Sequence, residues 1–402
     1  MPLKLDGRQY SPALVERIVV SGGSCKSFVI AAKMLKLLSE LELSPRTVNE
    51  MTVKIGRELE SQRDTQTERY QHRLLTEPAT VGTPPVAIAC VGVDGGRMQT
   101  RTPGRGPGVH DPHWRESKNA GFYRMTGECF EEDPHPELPS CFSSRKRLQG
   151  LLAGLEETEE QGVDEDAKPD FSWRPKSRFR TCLSSLCTSE RFGRLMAAEA
   201  DQRGFFSAER KAFLGDGLPY NWSIQQKCFG SFVAILDFIH PVERLHETSR
   251  ALWEQSESAW HHCQKWIDLC WQGDVEEVIG LLQAEQQQRG EPDDSAPEGD
   301  PRRLLVETIG YLRNNAFRMD YPRYRTEGLP ITSCLIESQI KEMNHRVKGS
   351  EKFWNDGPEG EAILQVRAAL ISDDDRLSRH IAARPGSPFA RPSRKPRQTL
   401  PS

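Results

Sequence analysis

The chain has 402 residues, enough for two or three domains, with 36% apolar residues and a mean hydropathy of −0.63, lean but sufficient for one good core with polar attachments. Its net charge of −4 is mildly unlike a nucleic-acid enzyme as a whole, so the distribution of charge matters more than the sum. Nothing offers about 18 consecutive apolar residues, which excludes a hydrophobic helical span, and the opening MPLKLDGRQYSP does not read as a secretory leader.

Residues 11–60 read as helices. Ser11-Pro12 opens one that runs to about Val20, with Ser21-Gly22-Gly23-Ser24 expected to break it. A second covers 25–40, with Phe28, Ala31, Leu35 and Leu38 at helical spacing. Ser44-Pro45 starts a third, serine capping and proline in the first turn, with Thr47, Asn49, Lys54 and Arg57 on its polar sides. This order suggests a helix-turn-helix-like DNA-binding region over 1–60, or a small helical bundle with no DNA contact. Residues 57–80 suggest a helix plus linker, the linker taken as 61–84.

Val86–Val93 (VAIACVGV) is a nearly unbroken apolar run suited to a strand buried on both faces, ending at Asp94-Gly95-Gly96. Residues 97–101 could turn back as its partner, and Phe122–Cys129 is a candidate further strand. The stretches 102–112 and 131–177, rich in Gly, Pro, Glu and Ser, read as loops or disorder, so 102–178 is taken as a partly disordered acidic insertion between core segments 85–101 and 179–240. A helix over 192–203 and short strands at 212–215 and 232–236 follow. Residues 241–327 form a helical insertion whose Trp253, Trp260, Trp266 and Trp271 are expected to supply bulk. A closing region, 328–372, contains a last helix from Ser333 to Val347; the arginine-rich stretch 373–402 reads as a disordered basic tail. Acidic residues concentrate in 155–170 and 284–300, and the remainder is basic. Ten cysteines without a Cys-x-x-Cys pair read as reduced structural thiols rather than a disulfide framework or a zinc site.

Three carboxylates carry the chemical argument. Asp94 and Asp216 each follow an apolar run and sit beside glycines that let backbone or ligand approach closely; Asp237 follows a third run. A lone strand-end aspartate also serves as a turn or helix cap. On the last helix, Ile336, Ile340, Met343 and Val347 make a buried stripe, and Glu337, Lys341, Asn344 and Lys348 the adjacent row. Glu337–Lys341 reads either as an ordinary i, i+4 pair or as a metal ligand beside a phosphate-gripping row extended by Arg346 and Lys352. Carboxylates without a Cys/His cluster suit hard cations such as Mg²⁺, and two such ions serve phosphodiester cleavage.

These pieces together resemble the ISKra-type insertion-sequence transposases, relatives of the Mutator-like group. The matching segments are Val93-Asp94-Gly95-Gly96-Arg97-Met98-Gln99-Thr100-Arg101, Trp114-Arg115-Glu116-Ser117-Lys118, Phe213-Leu214-Gly215-Asp216-Gly217 with Trp222, and Leu236-Asp237-Phe238-Ile239-His240. Ile336-Glu337-Ser338 through Lys341, Arg346, Lys348 and Trp354 completes the set, and the resemblance spans roughly residues 85–370. It implies an α/β fold with a ribonuclease H-like catalytic core and a helical insertion between the second Asp and the Glu, here 337 − 216 = 121 residues apart. It implies a DNA transposase in which Asp94, Asp216 and Glu337 hold two Mg²⁺ (or Mn²⁺) ions for strand cleavage and transfer. Asp237-x-x-His240 falls where Mutator-like enzymes carry Cys-x-x-His, so His240 is placed near the site or the DNA, or else caps the helix starting at Pro241. Lys341, Arg346 and Lys348 are expected on DNA. The expected partners are double-stranded DNA at element ends and target DNA, with a homodimer or higher assembly on DNA, in the cytoplasm at the nucleoid and away from membranes. The rival readings are a decayed or domesticated transposase that only binds DNA, and a glycoside hydrolase whose tryptophans would line a cleft.

Overall fold

The computed structural model describes residues 10–72, 86–101, 113–152 and 173–384, apart from 294, 333, 350, 351, 355 and 356; the side chains of 334, 335 and 337 also lie outside the described set. The chain is a mixed α/β structure. Three helices come first: α1 (Pro12–Ser24), α2 (Phe28–Ser39) and α3 (Pro45–Gln71). Ser11, Ser27 and Ser44 each cap the helix that follows by accepting a backbone N–H.

Two expectations fail in this region. α1 does not break at Gly22-Gly23, because these glycines are contact points: a Cβ at Gly22 would lie 2.1 Å from Thr52 Oγ1 on α3, and one at Gly23 2.5 Å from Leu370 Cδ1. The expected linker is also partly helix, since α3 continues to Gln71; residues 73–85 lie outside the described set.

The sheet holds five strands in the order β3-β2-β1-β4-β5. They are β1 (Ile88–Thr100), β2 (His113–Thr126), β3 (Lys176–Ser185), β4 (Arg210–Gly215) and β5 (Val233–Leu236). β1, β2 and β3 pair antiparallel; β4 joins β1, and β5 joins β4, in parallel. β1 is longer than its apolar run. It passes through Asp94 and the two glycines to Thr100, so 97–101 continue the strand rather than turn back on it. The partner strand begins at His113 and ends at Thr126, earlier than expected at both ends. Residues 102–112 lie outside the described set.

β3 is the strand that periodicity missed, lying across the expected insertion boundary at 178/179. It is an edge strand whose first half is exposed and whose buried half is largely small and polar (Thr181, Cys182, Ser184, Ser185), so it carries no apolar run. Two short helices, α4 (Ser140–Ser143) and α5 (Arg145–Leu152), also fold where loop was expected; Phe142 and Leu148 anchor them in the main core.

Between β3 and β4 lies α6 (Ser189–Gln202), and between β4 and β5 lies α7 (Pro219–Cys228). After β5 come α8 (Ile239–Leu252), α9 (Ser256–Trp271), α10 (Val275–Arg289), α11 (Pro301–Asn315) and α12 (Tyr321–Thr326). The tryptophans here are packing residues: Trp266 and Trp271 are buried, Trp253 stacks on His262 at 3.9 Å between centroids, and Trp260 is partly buried against the same core. They do not line a cleft as sugar platforms would.

The chain closes with α13 (Cys334–Val347), α14 (Pro358–Leu370) and α15 (Arg376–Ala383). Within the stretch 373–402 expected as a disordered tail, residues 376–383 are helical, because Leu377 and Ile381 are buried and Glu58 on α3 holds both His380 and Arg384; residues 385–402 lie outside the described set. α1–α3 share one apolar core with Val366, Ala369, Leu377 and Ile381 of these closing helices. No described helix is long and apolar enough to cross a membrane.

Candidate active site

The site is built by register. β1 and β4 run parallel with Gly92 beside Leu214, and β4 and β5 with Gly215 beside Leu236. Two further residues along the first pair bring Asp94 beside Asp216; one further along the second brings Asp216 beside Asp237. Neighbouring strands lie about 4.8 Å apart, so Asp94 in β1 and Asp216 and Asp237, each one residue past the end of its strand, converge on one rim. The strand order reverses between β1 and β4, and open α/β sheets bind ligands outside the carboxyl ends of the strands at such a reversal. Asp94 itself lies inside β1, paired with Asn119 of β2, rather than at the strand's end as expected.

Each aspartate has a different environment. The Asp94 carboxylate accepts from the Gly95 amide, and burial followed by repulsion from Asp216 pushes its pKa up to about 6. Asp216 is only partly buried. Its Oδ1 accepts from Leu218 N at 2.9 Å and Asn221 Nδ2 at 2.8 Å, and its backbone carbonyl accepts from Tyr311 Oη at 3.0 Å. Gly217 must be glycine: its φ is +96°, and a Cβ would lie 2.5 Å from the Tyr311 ring. Asp237 is 1% exposed, its Oδ1 accepting from Ile239 N and its Oδ2 lying 3.7 Å from His240 Nε2. His240 also lies 3.9 Å from Glu243. Burial lowers the His240 pKa, but Asp237, Asp216, Asp94 and Glu243 outweigh it and the net shift is upward.

On the β2 side, Lys118 is buried to 8% exposure, donates to Glu116 at 2.8 Å and lies 5.6 Å from the Tyr220 ring. Gly95 leaves the space beside Glu116 and Tyr220 open. Burial, then Glu116, Asp216 and Asp94, push the Tyr220 phenol upward, which keeps it protonated. The sequence reading missed Asn221, Tyr220 and Tyr311. Asn221, on the helix that follows Asp216, carried the nearest local signal; nothing local marks Tyr311, 95 residues from Asp216.

Glu337 belongs to α13, with its side chain outside the described set. The helix is fixed on the sheet beside it. Ile336 fills the space over Gly92, and Gln339 donates to Ala120 O at 3.1 Å while accepting from Tyr123 Oη at 2.8 Å. Arg180 of β3 grips Glu342 through two hydrogen bonds of 2.8 and 3.2 Å. Further along, Met343 and Val347 pack with Met98 of β1. Gly92, Asp94 and Met98 share one face of β1 by alternation, so α13 runs over the face that carries Asp94.

Lys341 on α13 and Lys348 just past its end are exposed, whereas Arg346 is not part of that basic surface. Arg346 is 2% exposed, donates to Gly22 O at 2.8 Å and sits over the rings of Phe28 and Trp354 at 4.5 and 4.8 Å. It is a structural tie between α13, α1 and α2. Lys352 is bound to the end of α13, donating to the carbonyls of His345 and Arg346 and to that of Lys348 just beyond it.

The donor set suits a hard divalent cation. Two carboxylates in matched register, one of them disfavoured as an anion by burial and by the other, would both gain from an ion between them. Among the described residues no three His, Cys, Asp or Glu side chains complete a metal-holding group by themselves, and the Glu337 side chain is not among them. No protein-family model and no curated protein matches the chain.

Proposed function

We propose that the chain is a DNA transposase with a ribonuclease H-like core, cutting and joining DNA at the rim where Asp94, Asp216 and Asp237 meet. The observation that carries this reading is the register that brings those three aspartates together, with the helix bearing Glu337 seated on the same face of β1. The sheet order, three antiparallel strands continued by two parallel ones, and the helical block between Asp216 and Glu337 support it further.

Asp94, Asp216 and Glu337 would hold two Mg²⁺ or Mn²⁺ ions, whose chemistry is to activate the attacking oxygen and stabilise the leaving one. The chain's own residues do the rest. Asn221 and the Leu218 amide fix the Asp216 carboxylate by occupying Oδ1. Asp237, enclosed and bonded to the start of α8, orients His240 rather than facing the substrate. Exposed Lys341 and Lys348 serve the phosphate backbone of double-stranded DNA at element ends and targets. A cytoplasmic, nucleoid-associated enzyme acting as a dimer or higher assembly on DNA follows from this reading.

The test is cleavage and strand transfer on duplexes carrying the DNA that flanks the gene, with Mg²⁺ or Mn²⁺. Asp94→Asn and Asp216→Asn should abolish both while leaving DNA binding intact. Asp237→Asn should be milder. A fully active Asp216→Asn enzyme beside a dead Asp237→Asn enzyme would transfer the ligand role to Asp237. Wild-type protein that binds these ends without cutting them would establish the binding-only reading instead.

A further inference from the structure

We propose that the face of the β1–β2 ribbon bearing Trp114 and Arg97 binds unpaired nucleotides of the DNA strand cut at the rim, a base stacking on the indole and the arginine holding the backbone. This rests on the reading of the rim as a DNA-cutting site and adds the form of DNA that the site takes. β4 pairs with β1 only as far as Gly92, and β3 with β2 only from Lys118 onward. Residues 95–100 and 113–117 therefore run on past the sheet as a two-stranded ribbon, tied at its end by the bridge between Thr100 and Trp354. Met98 on one face of the ribbon is buried with Met343, Val347 and Trp354. Residues directly opposite each other in an antiparallel pair share a face. The other face thus carries Gly95 with Lys118, Arg97 with Glu116, and Gln99 with Trp114. Gln99 is buried there, but Arg97 and Glu116 are exposed and Trp114 is 42% exposed. Of the eight tryptophans Trp114 alone is exposed, so this indole is the one that the chain's own packing leaves open.

Charge and position select the occupant. Lys118 donates to Glu116 at 2.8 Å, which neutralises the carboxylate on this face. Arg97, and exposed Arg101 one residue past β1, then set its charge. Arg97 is the diagonal neighbour of Trp114, roughly 7–8 Å away between backbones and within reach of long side chains. Cations beside an open aromatic ring are what binds unpaired nucleotides, one holding phosphate and the other stacking on a base. Bases within a duplex are already stacked on one another and offer no such face. Trp114 pairs with Gln99, five residues along β1 from Asp94. That is about 17 Å at about 3.4 Å per residue, or within about five nucleotides of the cut at roughly 3.4 Å each. Asp94 itself alternates onto the α13 face, so the DNA strand rounds the edge of β1, which β4 leaves unpaired beyond Gly92.

Fluorescence anisotropy of a labelled oligothymidylate of about 12 nucleotides, with the full chain in EDTA so that nothing is cut, tests this. Wild type should bind it and lose part of its tryptophan emission. Trp114→Ala should bind about tenfold or more weakly and lose that quenching, and Trp114→Phe should bind better than Trp114→Ala. Arg97→Ala with Arg101→Ala should weaken binding and flatten its log–log salt slope by about 1.4, two contacts at about 0.7 each. Melting temperatures should be unchanged, because all three positions are exposed, and Trp114→Ala should bind a blunt duplex as wild type does. A Trp114→Ala chain that holds the oligothymidylate as tightly as wild type would overturn the proposal. An equal loss on the blunt duplex would overturn it too, making the ribbon a duplex contact. Either result leaves the cutting reading standing, since Asp94→Asn tests that separately. Single-strand binding through Trp114 in a chain whose Asp94→Asn variant still cuts would remove the cutting reading and keep the nucleotide face.

Discussion

Gly92 on β1 and Ile336 on α13 share a space that admits only one of two side chains: a Cβ at Gly92 would lie 1.5 Å from Ile336 Cδ1 and 2.6 Å from Cγ1. The missing side chain is what lets α13, and with it Glu337, lie against the strand that carries Asp94. Gly92→Ala should push the helix outward, costing about 1–3 kcal/mol of stability by overpacking and most of the activity. Ile336→Ala alone should cost about 2–5 kcal/mol through the cavity it leaves. The two together should recover part of the loss, which urea unfolding would read as positive coupling. Strict additivity would show that this contact does not seat the helix.

Asp94 carries a pH signature. Burial and then Asp216 raise its carboxyl from 3.8 to about 6. The native state then binds this proton more tightly than the unfolded chain does. The stability gained is fully present below about pH 4 and is lost as pH rises through about 6. Asp94→Asn, which cannot ionise, should escape that loss. In EDTA it should be more stable than wild type at pH 7.5, by about 3 kcal/mol, and the advantage should vanish near pH 4. Thermal melts across that range check it. Equal melting at pH 7.5 would remove the electrostatic strain from the argument.

Mg²⁺ offers a companion measurement. An ion bound only by the native state raises the melting temperature with its concentration. Wild type should respond to millimolar Mg²⁺, and Asp94→Asn and Asp216→Asn should not. A full Mg²⁺ response in both variants would place any bound ion elsewhere.

Arg346 should behave as a core residue. Its guanidinium is pulled down to about 10 chiefly by burial, which leaves it charged at neutral pH, and its contacts are Gly22 O and two aromatic rings. Arg346→Ala should destabilise the fold by about 2–4 kcal/mol, whereas Lys341→Ala with Lys348→Ala should leave stability unchanged and weaken DNA binding at low salt. Chemical denaturation and a salt-titrated binding assay separate the two. A stable Arg346→Ala variant with weak DNA binding would return Arg346 to the DNA surface.

Removing residues 1–60 should not give a soluble catalytic core. That cut exposes Val366, Ala369, Leu377 and Ile381, which α1–α3 cover, and leaves Arg384 without Glu58. Aggregation or a non-cooperative melt is expected. The DNA-binding role of the region is better read from Lys54→Ala with Arg57→Ala, which should weaken end binding and leave the melting temperature unchanged. A well-folded fragment starting at residue 61 would show that the helical region is an independent unit.

What was legible in the chain was local. Ser11-Pro12 and Ser44-Pro45 start their helices because the capping hydroxyl and the fixed proline φ act within one turn. The stripe Ile336, Ile340, Met343 and Val347 is buried because a helix repeats every 3.6 residues whatever it packs against. The apolar runs before Asp94, Asp216 and Asp237 announced β1, β4 and β5, because a short unbroken apolar run suits a strand covered on both faces. Tertiary structure decided the rest, through partners distant in sequence. β3 is an edge strand with small polar side chains, so only its pairing with β2 makes it a strand. Gly22 and Gly23 would end a helix in isolation, yet Thr52, Val366 and Leu370 turn them into close contacts. Arg346 looks like a surface cation until Gly22, Phe28 and Trp354 close around it. The meeting of Asp94, Asp216 and Asp237 was set by parallel register, a property of pairs of strands that no single stretch of sequence carries.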